Sequence, residues 1–126
     1  MMGIEPGANA VLELVIGDAD TAISHRSGDV PVVATPRVLA LCEEACCLAV
    51  HPSLDAATTT VGMRAQLDHV APVRVGSTIR AEVTLERIEG RRLSFTVSVC
   101  DASGLVAAGR ITRVVVQRDE FLEKAR

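Results

Sequence analysis

The segment Thr35–His51 constrains this chain more than any other. It reads as one long helix, and it is apolar almost all the way round. At about 100° per residue, Arg37, Glu44 and His51 make a single narrow polar stripe. Val38, Leu41, Cys42, Ala45, Cys46, Leu48 and Ala49 cover much of the rest. A helix of this kind has to be buried on more than one side. Thr35 suits the N-cap, Pro36 suits the first helical position, and Pro52 ends the helix.

Everything after the helix reads as strand. Thr58–Val70 alternates, with Val61, Met63, Ala65, Leu67 and His69 on one face. Thr78–Ile88 turns Ile79, Ala81, Val83 and Leu85 to one side and Arg80, Glu82 and Glu86 to the other. Leu93, Phe95, Val97 and Val99 form the apolar face of the next strand, and Leu105–Val116 is the last. Glu89-Gly90 and Asp101–Gly104 are turns. Before the helix come a strand at Ala10–Ile16 and a polar connector at Gly17–Pro31, with a helical turn near Thr21-Ala22-Ile23. A short helix closes the chain at Asp119–Lys124. The expectation is an α+β domain spanning residues 1–126. In it a curved antiparallel sheet of about five strands wraps one long central helix, the pattern of the hot-dog fold. One helix cannot cover such a sheet, so a homodimer, or a higher oligomer built from it, is expected to complete the burial.

Composition removes several kinds of function. There is no Trp, no Tyr and only two Phe, Phe95 and Phe121. The core is therefore aliphatic, and the aromatic platforms that stack single-stranded nucleic acid are missing. The net charge is −3, and no basic block stands out, so nucleic acid is not an expected partner. No apolar run approaches a membrane span, and the N-terminus lacks a secretory pattern. Three of the four cysteines, Cys42, Cys46 and Cys47, crowd the helix, where geometry does not suit mutual pairing. A reduced, cytoplasmic protein is the simple expectation.

Three polar side chains fall within the apolar helix-then-strand region: Thr35, Glu43 and His69. A hydroxyl, a carboxylate and an imidazole are the parts of a hydrolytic site. Each also has an ordinary structural reading. Thr35 is a capping residue; its place at a helix N-terminus would equally stabilise developing negative charge. Glu43 lies off the polar stripe, and is either a flank carboxylate reaching water or a base or nucleophile buried near His69. His69 is either a satisfied core histidine or a proton carrier. Cys47 and His51 are spaced like half a metal site, but no second Cys/His pair completes it, so no metal or other cofactor is expected. Arg87, Arg91 and Arg92 cluster around one turn, as a solvated face or as contacts to phosphate groups.

The run Val33-Ala-Thr-Pro-Arg-Val-Leu-Ala-Leu-Cys-Glu-Glu-Ala-Cys46 resembles the central helix of the fluoroacetyl-CoA thioesterase family of hot-dog proteins. In that family a Thr opens the helix and a Glu follows eight residues later, as Thr35 and Glu43 do. A Gly and, seven residues on, a His come next; Gly62 and His69 match. Pro72, Gly76, the Glu89–Ser94 turn and Gly109–Val114 extend the resemblance over about Ala10 to Glu123. It implies hydrolysis of an acyl-CoA thioester of a small or medium acyl group. It implies Thr35, Glu43 and His69 as the catalytic group, Gly62 as a backbone donor to the thioester carbonyl, and Arg113 orienting groups or meeting the anionic ligand. One departure stands out. The fluoroacetate-specific enzyme carries phenylalanines in the connector before the helix, as a lid, whereas Ser24–Val33 has no aromatic residue here. Fluoroacetyl selectivity is therefore not implied. The alternatives on the same fold are a non-catalytic acyl-CoA-binding or sensing domain and, with a poorer fit of spacing, a dehydratase or hydratase.

Overall fold

A computed structural model describes residues 3–126. Strand β1 (Asn9–Val15) leads through a connector with one short helix, α1 (Ala22–His25), into the long helix α2 (Thr35–Val50). Four strands follow: β2 (Thr58–His69), β3 (Thr78–Glu89), β4 (Arg92–Asp101) and β5 (Gly104–Gln117). A last short helix, α3, spans Arg118–Glu123. Every strand pairing is antiparallel, and the order across the sheet is β1-β3-β4-β5-β2. This is the hot-dog architecture, with element limits within one or two residues of those expected.

Alternation sets the inner face of β3 and β4. Ile79, Ala81, Val83, Leu85, Leu93, Phe95, Val97 and Val99 are all buried, as the period-2 pattern requires. Helix α2 lays Val38, Leu41, Cys42, Ala45, Cys46 and Val50 against them, the three-and-four spacing of one helical face. The rest of the helix is less covered than the sequence suggests: Leu48 is 46% exposed, and Leu39 and Ala49 are only partly buried.

Strand β2 departs from strict alternation. A bulge at Met63 shifts its register against β5: Gly62 faces Arg113, but Arg64 faces Thr112. Thr60 and Gly62 therefore share the inner face with Ala65, Leu67 and His69, opposite Val115, Arg113, Ile111, Gly109 and Ala107. Val61 turns outward, and Met63 is 42% exposed, so the expected apolar row through Val61 and Met63 does not form. Among the described residues the other edge of β2 has no strand beside it, and Gly62–Gln66 are exposed along it.

Candidate active site

Thr35 is the first residue of α2, and Ala34 occupies the cap position; the helix has no side-chain cap. The N-cap reading of Thr35 is thus overturned. Its hydroxyl instead meets the ring of His69, with Oγ1 2.7 Å from Nδ1. Thr35 is exposed and His69 half-buried, at the lip of an open cleft of about 340 Å³. Val30 and Val32 of the connector and Ala71 and Pro72 beyond β2 also line this cleft. The other ring nitrogen, Nε2, is buried and has no hydrogen-bond partner. A buried imidazole nitrogen without a partner is uncommon in a purely structural histidine.

The connector is tied to this end of the helix. Asp20 receives the Gly17 backbone N–H and the Arg37 Nε–H, each at 2.8 Å. The Asp20 carbonyl accepts the Ala34 N–H at 2.8 Å. The Gly17 amide first, and Arg37 after it, hold the Asp20 carboxyl below the usual aspartate range, against the opposing effect of burial.

Glu43 sits two turns along α2, about 12 Å from Thr35 along the axis. Its Oε2 accepts from Arg113 Nη1 at 3.2 Å. Arg113 is only 6% exposed. It donates from Nε to Thr60 Oγ1 at 3.0 Å and from Nη2 to the Thr60 carbonyl at 2.9 Å. A buried guanidinium needs such partners to offset its desolvation, and three of them leave it little freedom. Gly62 completes the group: a β-carbon there would lie 2.7 Å from Glu43 Oε2. The absence of a side chain makes room for the carboxylate.

Each chain therefore carries two pairs of groups, not one triad. Thr35 joins His69, and Glu43 joins Arg113 and Gly62. The sequence expectation of Glu43 buried beside His69 is not met within one chain. Its side chain is 39% exposed, and Arg113 is its hydrogen-bond partner. Seven residue steps along β2 hold Gly62 and His69 about 20 Å apart. Thr60 escaped the sequence reading because strict alternation turns it outward. Gly62, an isolated glycine inside a strand pattern, was the signal for a bulge and a close approach.

Other candidates disperse. Arg87 pairs with Glu89 at 2.6 Å, while Arg91 lines a separate cavity with Leu54 and Val116. The buried thiols are poor nucleophiles: burial pushes Cys46 up to about 12 and Cys42 up to about 11.

One long helix held in a curled five-stranded antiparallel sheet, with hydroxyl, imidazole and carboxylate on the helix and edge strand, defines a hot-dog protein of the thioesterase kind. The chain belongs to the fluoroacetyl-CoA-specific thioesterase family, whose model matches residues 16–119. It is 33% identical over 95 residues to the fluoroacetyl-CoA thioesterase of Streptantibioticus cattleyicolor, covering 75% of this chain and 68% of that protein. A mutant of the fluoroacetyl-CoA-specific thioesterase solved with fluoroacetate and CoA superposes with a TM-score of 0.87 at 27% identity, over 94% of this chain and 99% of that one. A thioesterase superfamily member from Thermus thermophilus gives 0.89 at 25% identity, over 98% and 91%. The protein is an acyl-CoA thioesterase-like hydrolase.

Proposed function

We propose that this hydrolase cleaves small or medium acyl-CoA thioesters at a site shared between two copies of the chain. The observation that carries the proposal is the pairing within one chain: Thr35 with His69, and Glu43 with Arg113. An open β2 edge is a template for another strand. Antiparallel pairing of two β2 strands runs the Gly62 end of one beside the partner's His69 end. The homodimer then joins each Glu43 half to a Thr35–His69 half.

Chemically, Glu43 either takes a proton from water, which adds to the thioester carbonyl, or adds to it directly as a carboxylate. The direct route forms an anhydride that water then cleaves. In both, the C–S bond breaks with its electron pair going to sulfur, His69 donates the proton that completes the thiol, and the proton removed from water restores His69. Arg113 fixes the carboxylate, Thr35 fixes the imidazole, and the Gly62 N–H holds the carbonyl oxygen. The connector sets no aromatic residue over the cleft, and Val30 there is 51% exposed. Fluoroacetyl selectivity is not part of this reading. No helix among the described residues is long and apolar enough to cross a membrane, and the four free cysteines fit a reducing compartment such as the cytoplasm.

The first experiment is thiol release across short, medium and aryl acyl-CoA esters. His69→Ala should abolish release while melting with the wild type. Equal rates for the two proteins would make His69 a core residue. Acyl-CoA binding without hydrolysis by the wild type would favour the binding-domain alternative. The shared site is tested by mixing two inactive variants, Glu43→Ala and His69→Ala, after subunit exchange. Recovered activity is expected, since one site of each mixed dimer keeps both groups. No recovery, with exchange verified by mass, would place the whole site in one chain.

A further inference from the structure

On the outer face of the sheet, away from α2, the cross-strand register aligns polar groups in a row. Arg87 of β3 faces Ser94 of β4, Ser94 faces Thr112 of β5, and Thr112 faces Arg64 of β2. In the adjoining row Thr96 faces Arg110. Residues opposite one another in antiparallel strands project to the same side, and diagonal neighbours lie about 7–8 Å apart, so Arg64 and Arg110 converge. These residues line one open groove of about 580 Å³. Its floor is made by half-buried hydroxyls and its walls by exposed guanidinium groups.

The charge of this groove is opposite to that of the chain, whose net charge is −3. Three arginines line it against one carboxylate, Glu86, whose Oε1 already accepts the Thr96 hydroxyl at 2.9 Å. Arg64 and Arg110 have no carboxylate partner among the described residues. Arg87 is held by Glu89, but both side chains are well exposed, and such surface pairs exchange readily. Forked guanidinium donors flanking hydroxyls suit a phosphate ester better than a carboxylate or an apolar group.

The groove is also continuous with the site. Arg64 lines both the outer groove and the small cleft holding Glu43 and Gly62. We propose that this arginine groove holds the phosphate groups of coenzyme A, with Arg64 at the mouth of the catalytic cleft and Arg110 and Arg87 further out. This rests on the acyl-CoA reading above and assigns the part of the substrate that the cleft itself does not recognise. The pantetheine arm then enters the small cleft that Arg64 shares with Glu43 and Gly62, carrying the thioester inward to Glu43.

The test compares wild type with Arg110→Gln and Arg87→Gln, neither of which lies in the catalytic pairs. Calorimetric titration with coenzyme A and with 3′,5′-ADP reads the groove without turnover. Each variant should weaken both ligands by about tenfold, as expected for one charge-assisted contact. KM for acyl-CoA should rise similarly at unchanged kcat. The matching N-acetylcysteamine thioester, which has no phosphate, should be hydrolysed alike by all three proteins. Unchanged affinity for coenzyme A in both variants overturns the proposal. So does inorganic phosphate binding as tightly as 3′,5′-ADP, which makes the groove a free-phosphate site. A lower oligomeric mass in the variants, with coenzyme A binding intact, would make it an interface between copies and equally overturn it. If wild type binds coenzyme A through these arginines but hydrolyses no ester, the hydrolase reading falls and the groove stands.

Discussion

The hydroxyl of Thr35 and Nδ1 of His69, 34 positions apart in sequence, stand 2.7 Å from one another. The bond fixes the imidazole at the helix N-terminus and takes Thr35 out of a capping role. Thr35→Ala should therefore cost little stability, less than the roughly 1 kcal/mol typical of a lost cap. Activity should fall by about 10²-fold or more, in the range of a misplaced acid–base group. Thr35→Ser keeps the hydroxyl and should keep most of the rate. Thermal melts and acyl-CoA turnover for the three proteins check this; equal activity in Thr35→Ala would remove the hydroxyl from the site.

Gly62→Ala should separate folding from activity. The added methyl meets Glu43 Oε2, the far end of a flexible side chain that can swing aside. The expected outcome is a melting temperature near wild type with turnover strongly reduced, because the carboxylate leaves its Arg113-bound position. A variant as active as wild type would show that the position of Glu43 there does not matter.

Gly109→Ala should behave in the opposite way. A β-carbon there runs into the Gln66 carbonyl and the neighbouring backbone of β2, which cannot move without breaking the ladder. Overpacking of this sort costs about 1–3 kcal/mol, enough to lower Tm by several degrees. Amide exchange should rise first in β2. An unchanged melt would mean that β2 and β5 can separate locally without penalty.

Acid should loosen the connector through Asp20. Its carboxyl is held below the ordinary value of 3.8, so the folded form prefers the ionised group. That stabilisation is complete above the ordinary value and is lost as pH falls through the lowered one. Below about pH 4 the wild type should lose Tm more steeply than Asp20→Asn, which never had the carboxylate to lose. Parallel Tm profiles would show that the Gly17 and Arg37 contacts carry no net energy.

Much of this molecule was legible in its sequence because two periods dominate it. The three-and-four spacing of α2 and the alternation of β3 and β4 each bury the residues the pattern names. Thr35, Glu43 and His69 stood out as polar residues in an apolar region, and the resemblance added Gly62 and Arg113, but the pairings among them were not readable. Alternation is a local rule, and the bulge at Met63 interrupts it, which hid Thr60 as the seat of Arg113. The separation of Glu43 from His69 was hidden for a different reason: a spacing of eight on a helix and seven on a strand names both residues without saying which chain brings them together. The outer arginine row depends on register across four strands, and no single strand shows it.

The bulge also divides the possible histories of β2 into two kinds. Substitutions along this strand act one side chain at a time. A change that straightened the bulge while keeping Met63 in the strand would act on parity, turning Thr60 and Gly62 outward while Ala65, Leu67 and His69 kept their side. The sheet would still pair and still bury most of its core, yet the seat of Arg113 and the gap that admits Glu43 would open onto the wrong surface. A change of frame can thus rearrange this end of the sheet while every residue of the sequence stays in place. A relative that keeps Thr35, Glu43, Gly62, His69 and Arg113 but pairs the extra residue into a regular β2 ladder is expected to fold and to offer Glu43 no gap beside Arg113.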